Sequence, residues 1–468
     1  MKNTFFILAI ACAAFALSLA MCAQAQTVTF VAQFQGNQAS AISVIQGTDG
    51  NFYGAGAGGT YKQSQIFRMT PSGELSTLYS FCSQPNCADG GEQAPSPVLG
   101  SDGILYGAAT FGGNATGSGT FYKLTLDGQF TVLYTFCSEP ACADGQWPQG
   151  IVQGRDGNFY GTTESGGANH KGVFYRLSPT GRLKVLHSFC SLPNCVDGVG
   201  WAVIQGIDGN FYGIGTRGTR GGGAFYRMTP GGTYTGLYNF CSYMVKNCTT
   251  GWGPSGVVQD AEGNFFGTTE GGGRTGYGTI FEITAQNQYH ILHSFDPNHG
   301  NAPLFGVTLA SDGNLYGYGS EGWHDGGSLF ESSPKGVYTE LYSFQCCNEG
   351  YDPFGPPPFQ ATNGLLYGTT LYGPGTCCYG TIFSVDNGIS PLVETAPVAG
   401  KVGKRVLILG NGLTGSTSVT FNGVAAAFTV ESDTYIKATV PAGATTGAVS
   451  VVTPSGTLNS NPQFVVTK

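Results

Sequence analysis

Short apolar runs recur along most of the chain, cut apart by glycine, asparagine, aspartate and proline, and none keeps the spacing of an amphipathic helix. One stretch displays the arrangement: Gly150-Ile151-Val152-Gln153, then Asn158-Phe159-Tyr160-Gly161-Thr162, then Gly172-Val173-Phe174-Tyr175-Arg176-Leu177, then Leu183-Lys184-Val185-Leu186-His187-Ser188-Phe189. Each is a strand candidate, and the last alternates apolar with polar positions in part, as a half-buried outer strand does. Between the first and second strands stands Asp-Gly-Asn, beginning at Asp49, Asp156, Asp208 and Asp312. Between the third and fourth stands Thr/Ser-Pro-x-Gly, around Pro71, Pro179 and Pro230. Asn and Gly tolerate positive φ and proline presets the negative φ of a turn's second residue, so both are tight turns and the four strands form an antiparallel unit.

The unit repeats. An aromatic residue followed by glycine ends a short phrase at Tyr53-Gly54, Tyr106-Gly107, Tyr160-Gly161, Tyr212-Gly213, Phe266-Gly267, Tyr316-Gly317 and Tyr367-Gly368, at intervals of 50 to 54 residues. A fixed period of this length, filled with strands, predicts an all-β fold: a seven-bladed β-propeller. A phenylalanine marks the third strand seven times, at Phe67, Phe121, Phe174, Phe225, Phe281, Phe330 and Phe383, yet no fourth strand follows Phe383. Thr27 to Phe34 stands alone ahead of the first unit instead, with Phe34 matching Phe81, Phe136, Phe189, Phe240, Phe295 and Phe344. The N-terminal strand is therefore expected to complete the seventh blade and remove the exposed edges of an open array. An open solenoid or two separate β-domains would leave that displaced strand unexplained.

Antiparallel order fixes which loops share a side. The short uniform turns emerge together, and the long variable loops, cysteines included, emerge on the other side, where recognition is commonly placed. Of 14 cysteines, Cys12 and Cys22 fall in the N-terminal 25 residues. There Lys2 precedes an apolar run from Phe5 to Met21 and a small-x-small site at Ala23-Gln24-Ala25, so residues 1–25 read as a signal peptide. Lipid attachment at Cys22 fits less well, because Met21 stands where a small residue is expected. In an exported chain the pairs Cys82/Cys87, Cys137/Cys142, Cys190/Cys195 and Cys241/Cys248 read as disulfides, the first three repeating Phe-Cys-Ser-x-Pro-x-Cys. Zinc is the weaker alternative, since no histidine recurs beside them. Cys346, Cys347, Cys377 and Cys378 either cross-link two neighbouring loops or close vicinally. The net charge of −8 is spread over few charged residues with no basic stripe, which argues against nucleic acid. No later run is long and apolar enough for a membrane span.

The repeat ends at Gly388, and residues 389–468 change composition: no cysteine, one tyrosine, and many Val, Thr, Ala and Gly. Runs such as Arg405 to Gly410, Ser418 to Phe421, Tyr435 to Val440 and Val449 to Thr453 predict a small β-sandwich. Pro397-x-x-Gly400-x-x-Gly403, Gly410-Asn411-Gly412-Leu413, Val419 to Val424, Val440-Pro441 and Gly447-x-Val449-x-Val451 make this segment resemble the IPT/TIG immunoglobulin-like family. That resemblance implies a spacer or contact module. The seven-unit repeat, assigned to residues 26–388, in turn resembles over residues 40–388 the bacterial extracellular choice-of-anchor, or GloVer, tandem repeats: Asp156 to Thr163 with Gly172 to Phe174, and Glu262 to Thr269 with Gly278 to Phe281, carry it most clearly. It implies export and no known chemistry.

Candidate site residues lie in the long loops. Trp147, Trp201 and Trp252 sit just ahead of a first strand and Trp323 lies between a second and a third. Exposed indoles there suit stacking on sugar rings or peptide side chains, while the first three equally suit packing between units. Arg217 and Tyr372 join them as candidate ligand contacts. Glu164, Glu270 and Glu321 recur at nearly equivalent positions, with His170, Arg274 and His324 nearby. Two such carboxylates could act as acid and base on a glycoside, but recurrence through duplication favours a structural or solvated role. The Asp-Gly turns lack the clustered oxygens of a calcium loop, so no metal or cofactor is expected. The sequence thus points to an extracellular or cell-surface, non-enzymatic binding protein for carbohydrate or a surface protein. A polysaccharide hydrolase or lyase and a structural adhesion protein are the alternatives.

Overall fold

A computed structural model describes residues 27–35, 38–91, 96–198, 200–215, 220–242, 244–245, 248–296, 303, 305–320, 325–345, 350–374 and 379–467. Residues 1–25 with Cys22, and Arg217, Glu321, Trp323, His324, Cys346, Cys347, Cys377 and Cys378, lie outside these.

Between Thr27 and Asp386 the described strands fall into seven antiparallel sheets, which makes the chain all-β with propeller-like repeats. The third sheet is typical: Gln146–Gln153, Phe159–Ser165, Val173–Leu177 and Leu183–Ser188 pair in chain order. The seventh breaks that order. Its outer strand is Thr27–Gln33, paired antiparallel with Thr381–Asp386 from Thr27 opposite Asp386 to Gln33 opposite Thr381. Phe34 N donates to Gly380 O at 3.1 Å, just as Phe136 N donates to Gly119 O and Phe189 N to Gly172 O at 3.0 Å. The displaced strand therefore occupies the position its phenylalanine indicated.

The repeated aromatic-glycine phrase has a steric cause. Each glycine lies opposite an aromatic residue of the third strand: Gly54 opposite Phe67, Gly107 opposite Tyr122, Gly161 opposite Tyr175, Gly213 opposite Tyr226, Gly267 opposite Phe281, Gly317 opposite Phe330 and Gly368 opposite Phe383. That ring covers the glycine, so a side chain there would collide with it. This pairing corrects the alignment of third strands. In the second, third and fourth sheets the equivalent of Phe67 is Tyr122, Tyr175 and Tyr226, not Phe121, Phe174 and Phe225. The preceding aromatic differs in job as well: Tyr53, Tyr106, Tyr160, Tyr212 and Tyr316 donate to the turn carboxylates of Asp49, Asp102, Asp156, Asp208 and Asp312 at 2.7–2.9 Å.

Seven apolar clusters, each shared by two sheets, join the sheets into a cycle. The cluster of Phe34, Val44, Phe52, Phe67, Tyr367 and Ile382 unites the first sheet with the seventh. A polar contact repeats beside these seams. The glutamine ending a first strand accepts a backbone N–H from the preceding sheet's turn: Gln153 from Ser101, Gln205 from Arg155, Gln259 from Ile207, Gln360 from Ser311 and Gln46 from Thr362, at 2.8–3.0 Å. Leu99 and Leu309 stand at the two junctions without it.

From Glu394 on, one sheet of Glu394–Ala396, Arg405–Leu409, Tyr435–Thr439 and Phe428–Ser432 shares a core with a second of Val424–Ala425, Ser418–Phe421, Val449–Thr453 and Gly456–Asn459. This segment sits on the side of the short uniform turns. Thr434 Oγ1 donates to Thr48 O at 2.9 Å and Asn411 Nδ2 to Thr362 Oγ1 at 2.7 Å.

A Cβ at residue 107 would lie 2.2 Å from the Tyr122 hydroxyl oxygen, whereas one at residue 150 meets nothing within 4 Å. Gly107→Ala should therefore lower stability by about 1–3 kcal/mol, and Gly150→Ala should change it by no more than roughly 0.5 kcal/mol, as read by chemical denaturation.

Candidate ligand-binding rim

The loops opposite the C-terminal segment are built from the cysteine repeats. Disulfides join Cys82 to Cys87, Cys137 to Cys142, Cys190 to Cys195 and Cys241 to Cys248. Within the first three loops, Pro85–Cys87, Pro140–Cys142 and Pro193–Cys195 form single 3-10 turns. Beneath each turn lies a carboxylate that the sequence reading passed over: Asp89, Asp144 and Asp197, all at most 2% exposed. Asp197 accepts from Ser191 N and Oγ at 2.9 Å, from Leu192 N at 3.2 Å and from His187 Nε2 at 3.0 Å. Asp89 and Asp144 hold Ser83 and Ser138 in the same way, with Tyr79 and Tyr134 in place of His187. The recurring Cys-x-Asp-Gly was the available signal. Burial alone would raise the Asp197 carboxyl, but its backbone and side-chain donors outweigh that and hold it below the usual carboxylate range.

The first two cysteine loops are bonded to the next sheet's loop between second and third strands: Gly113 N donates to Cys87 O at 2.8 Å and Gly167 N to Cys142 O at 2.9 Å. The two loop sets therefore form one rim.

The described tryptophans take different places on it. Trp147 is half-buried: its Nε1 donates to Gly117 O at 3.2 Å and its ring lies 6.3 Å from that of Phe111, both in the neighbouring second sheet. Trp201 is 47% exposed, and its carbonyl accepts from Thr162 Oγ1 at 2.9 Å. Trp252 lies over Gly271, where a Cβ would come within 2.2 Å of its ring. Tyr372 stacks on Tyr351 at 4.9 Å between centroids. Glu164 and Glu270 are exposed, on the third and fifth sheets, with the fourth between them and no hydrogen bond joining them.

The fifth sheet gathers more than its share. A groove of about 300 Å³ is lined by Val245, Thr249, Trp252, Arg274 and Thr275, and Glu270 stands beside Gly253 at its edge. Tyr277 (38% exposed), Val245 (53%) and Met244 (75%) carry apolar surface around it. An indole face next to a guanidinium and a carboxylate can stack on a flat apolar ligand surface while bonding its hydroxyls. Among the described residues, no three His, Cys, Asp or Glu side chains gather as a metal site would require.

The Gloeobacter/Verrucomicrobia repeat matches residues 15–200 and 199–427. The chain belongs to this family. The second match runs beyond Gly388, into the strands that follow the seven sheets. A comparison with curated proteins gives no match for this Gloeobacter/Verrucomicrobia repeat protein. Among solved structures, the extracellular domain of the putative hybrid two component system BT4673 from B. thetaiotaomicron is similar at a TM-score of 0.52 and 10% identity, covering 92% of this chain. The chain spans 57% of that structure's length, and the likeness is one of fold. The polysaccharide lyase Uly1, at a TM-score of 0.46 and 13% identity over 75% of this chain and 90% of its own, is too distant to bear on function. Among the described residues, no helix is long and apolar enough to cross a membrane. The four disulfides suit an extracellular location.

Because the Asp197 carboxyl is held low in the fold, its stabilising effect is complete above the unfolded value of about 3.9 and drains away as pH falls through the lower folded value. Asp197→Asn should cost about 1–3 kcal/mol at pH 7, and its difference from the parent should shrink below about pH 4 in denaturation series across pH.

Proposed function

We propose that this is an exported, non-enzymatic binding protein that contacts extracellular carbohydrate through its loop-rich rim. In this reading the seven sheets are the blades of a closed seven-bladed propeller spanning residues 26–388. Residues 389–468 form an immunoglobulin-like sandwich of the IPT/TIG type, and residues 1–25 are its signal peptide. Support for the ring comes from the cyclic order of apolar seams, the last of which joins the seventh sheet to the first. Support for the sandwich comes from two sheets that share one core of Val406, Ile408, Val419, Phe421, Ile436 and Val451.

One observation carries the binding site: Trp252, seated over Gly271, lines the same groove as Arg274. Trp201 extends the contact to the neighbouring fourth sheet, Tyr372 offers a further aromatic contact on the seventh, and Trp147, tied by its indole to the second sheet, serves as a spacer. Arg217 and Trp323, outside the described residues, join this proposal from their sequence positions alone. The carboxylates Glu164 and Glu270 are solvated and set on sheets that are not neighbours, which favours retention of a glycan over its cleavage.

A glycan array run beside a polysaccharide-degradation assay tests this. A retained glycan should lose roughly tenfold or more in affinity with Trp252→Ala and with Arg274→Ala, while Trp147→Ala should act on thermal stability instead. Unchanged affinity in the first two variants would exclude the groove, and product formation abolished by Glu270→Gln would make the protein an enzyme.

A further inference from the structure

On the side away from the rim, the first strands of the first, second, sixth and seventh sheets and the C-terminal segment line a half-open cavity of about 380 Å³, within the size range of small-molecule sites. Its wall is largely apolar, with Val44, Ile45, Pro97, Leu309, Phe359 and Pro462. The polar groups around it are mostly engaged within the protein. Ser43 Oγ accepts from Ala55 N at 3.3 Å, and Thr369 Oγ1 donates to Phe354 O at 2.7 Å. Gln360 accepts from Ser311 N at 2.8 Å and donates to Ser311 Oγ at 2.7 Å, while Asn461 Nδ2 donates to Leu309 O at 3.4 Å.

Glu394 is the exception. It is the only charged residue among those lining the cavity, and no hydrogen bond or ion pair from a described residue engages its carboxylate. Its placement follows from strand alternation: Val393 and Thr395, on either side, are buried, Val393 within the core of the C-terminal segment, so Glu394 turns the other way, into the cavity. Capping the ring needs no acid. An unpartnered carboxylate among prolines and aliphatic groups carries a desolvation cost that an apolar residue would avoid, and burial pushes its carboxyl up to about 8.

The geometry points to a binding site for a small organic cation, with an ammonium head on Glu394 and a hydrocarbon body against Val44, Ile45, Leu309 and Phe359. The site uses no rim residue and stands or falls apart from the glycan contact. Burial disfavours the charged form of the free acid, and pairing with an ammonium ion favours the carboxylate, so binding shifts the group towards deprotonation and releases protons to solvent. The other ionisable group on the wall, Tyr367, is held by Asn363 Nδ2 at 3.1 Å, and burial raises its hydroxyl above the usual range.

Hexylammonium is a suitable probe, with 1-hexanol as its neutral counterpart, titrated by calorimetry into the mature chain. Wild type should bind hexylammonium on the order of thirtyfold more tightly than Glu394→Gln, and 1-hexanol should bind both proteins equally weakly. Calorimetry of wild type in phosphate and in HEPES at pH 7 should show proton release on hexylammonium binding, a readout that needs no variant. Equal affinity of hexylammonium for a folded Glu394→Gln, no binding to wild type, 1-hexanol binding as tightly as hexylammonium, or binding without proton release would each overturn the assignment.

Discussion

The molecule depends on burial of aromatic side chains between neighbouring sheets. A four-stranded antiparallel sheet alone has two faces to cover, and here each sheet covers its faces only by meeting the next. The seam between the seventh sheet and the first is made of the same parts as the others, with Phe34, Phe67 and Tyr367 fully or almost fully buried. Phe34 and Phe67 meet edge to face at 5.2 Å, a geometry repeated by Phe295 and Phe330 at 5.3 Å. The glycine of each repeated phrase belongs to this packing. It clears the space into which a ring can lie flat against the backbone, which explains why the phrase survives while its surroundings vary.

The two sides of the ring serve different ends. On one side, short turns of nearly constant length present a surface regular enough for the C-terminal segment to seat upon, through Thr434, Asn411 and Asn461. On the other, three of the four disulfide loops are fastened at two levels, by the covalent link and by a buried aspartate beneath it. A loop so fastened can carry exposed apolar groups without collapsing onto the sheets below.

Much of this was legible in the chain itself. The displaced strand announced itself because Phe34 had six counterparts and the last unit lacked one, so counting alone assigned it. The local disulfides were legible from their spacing, and in the first three from the proline between them as well. The alignment of the third strands went astray because Phe-Tyr in three units and Ile-Phe in others both present a phenylalanine, and only backbone pairing tells which ring faces the glycine. The glutamines that reach the preceding sheet were hidden, since their partners are backbone groups some fifty residues away. Glu394 and its cavity depend on contacts between segments distant in sequence, and no local pattern encodes these.

The outer strand of the last sheet comes from the beginning of the chain, with Thr27 opposite Asp386. During synthesis that strand emerges ahead of the other described strands and must wait, with its edge unsatisfied, until nearly the whole repeat array has followed. The closing step therefore has a loop spanning nearly the whole repeat array to gather, which makes it slow and leaves the waiting strand open to capture by another copy. A chain reconnected so that this strand followed Asp386 directly would trade that long-range closure for a local hairpin.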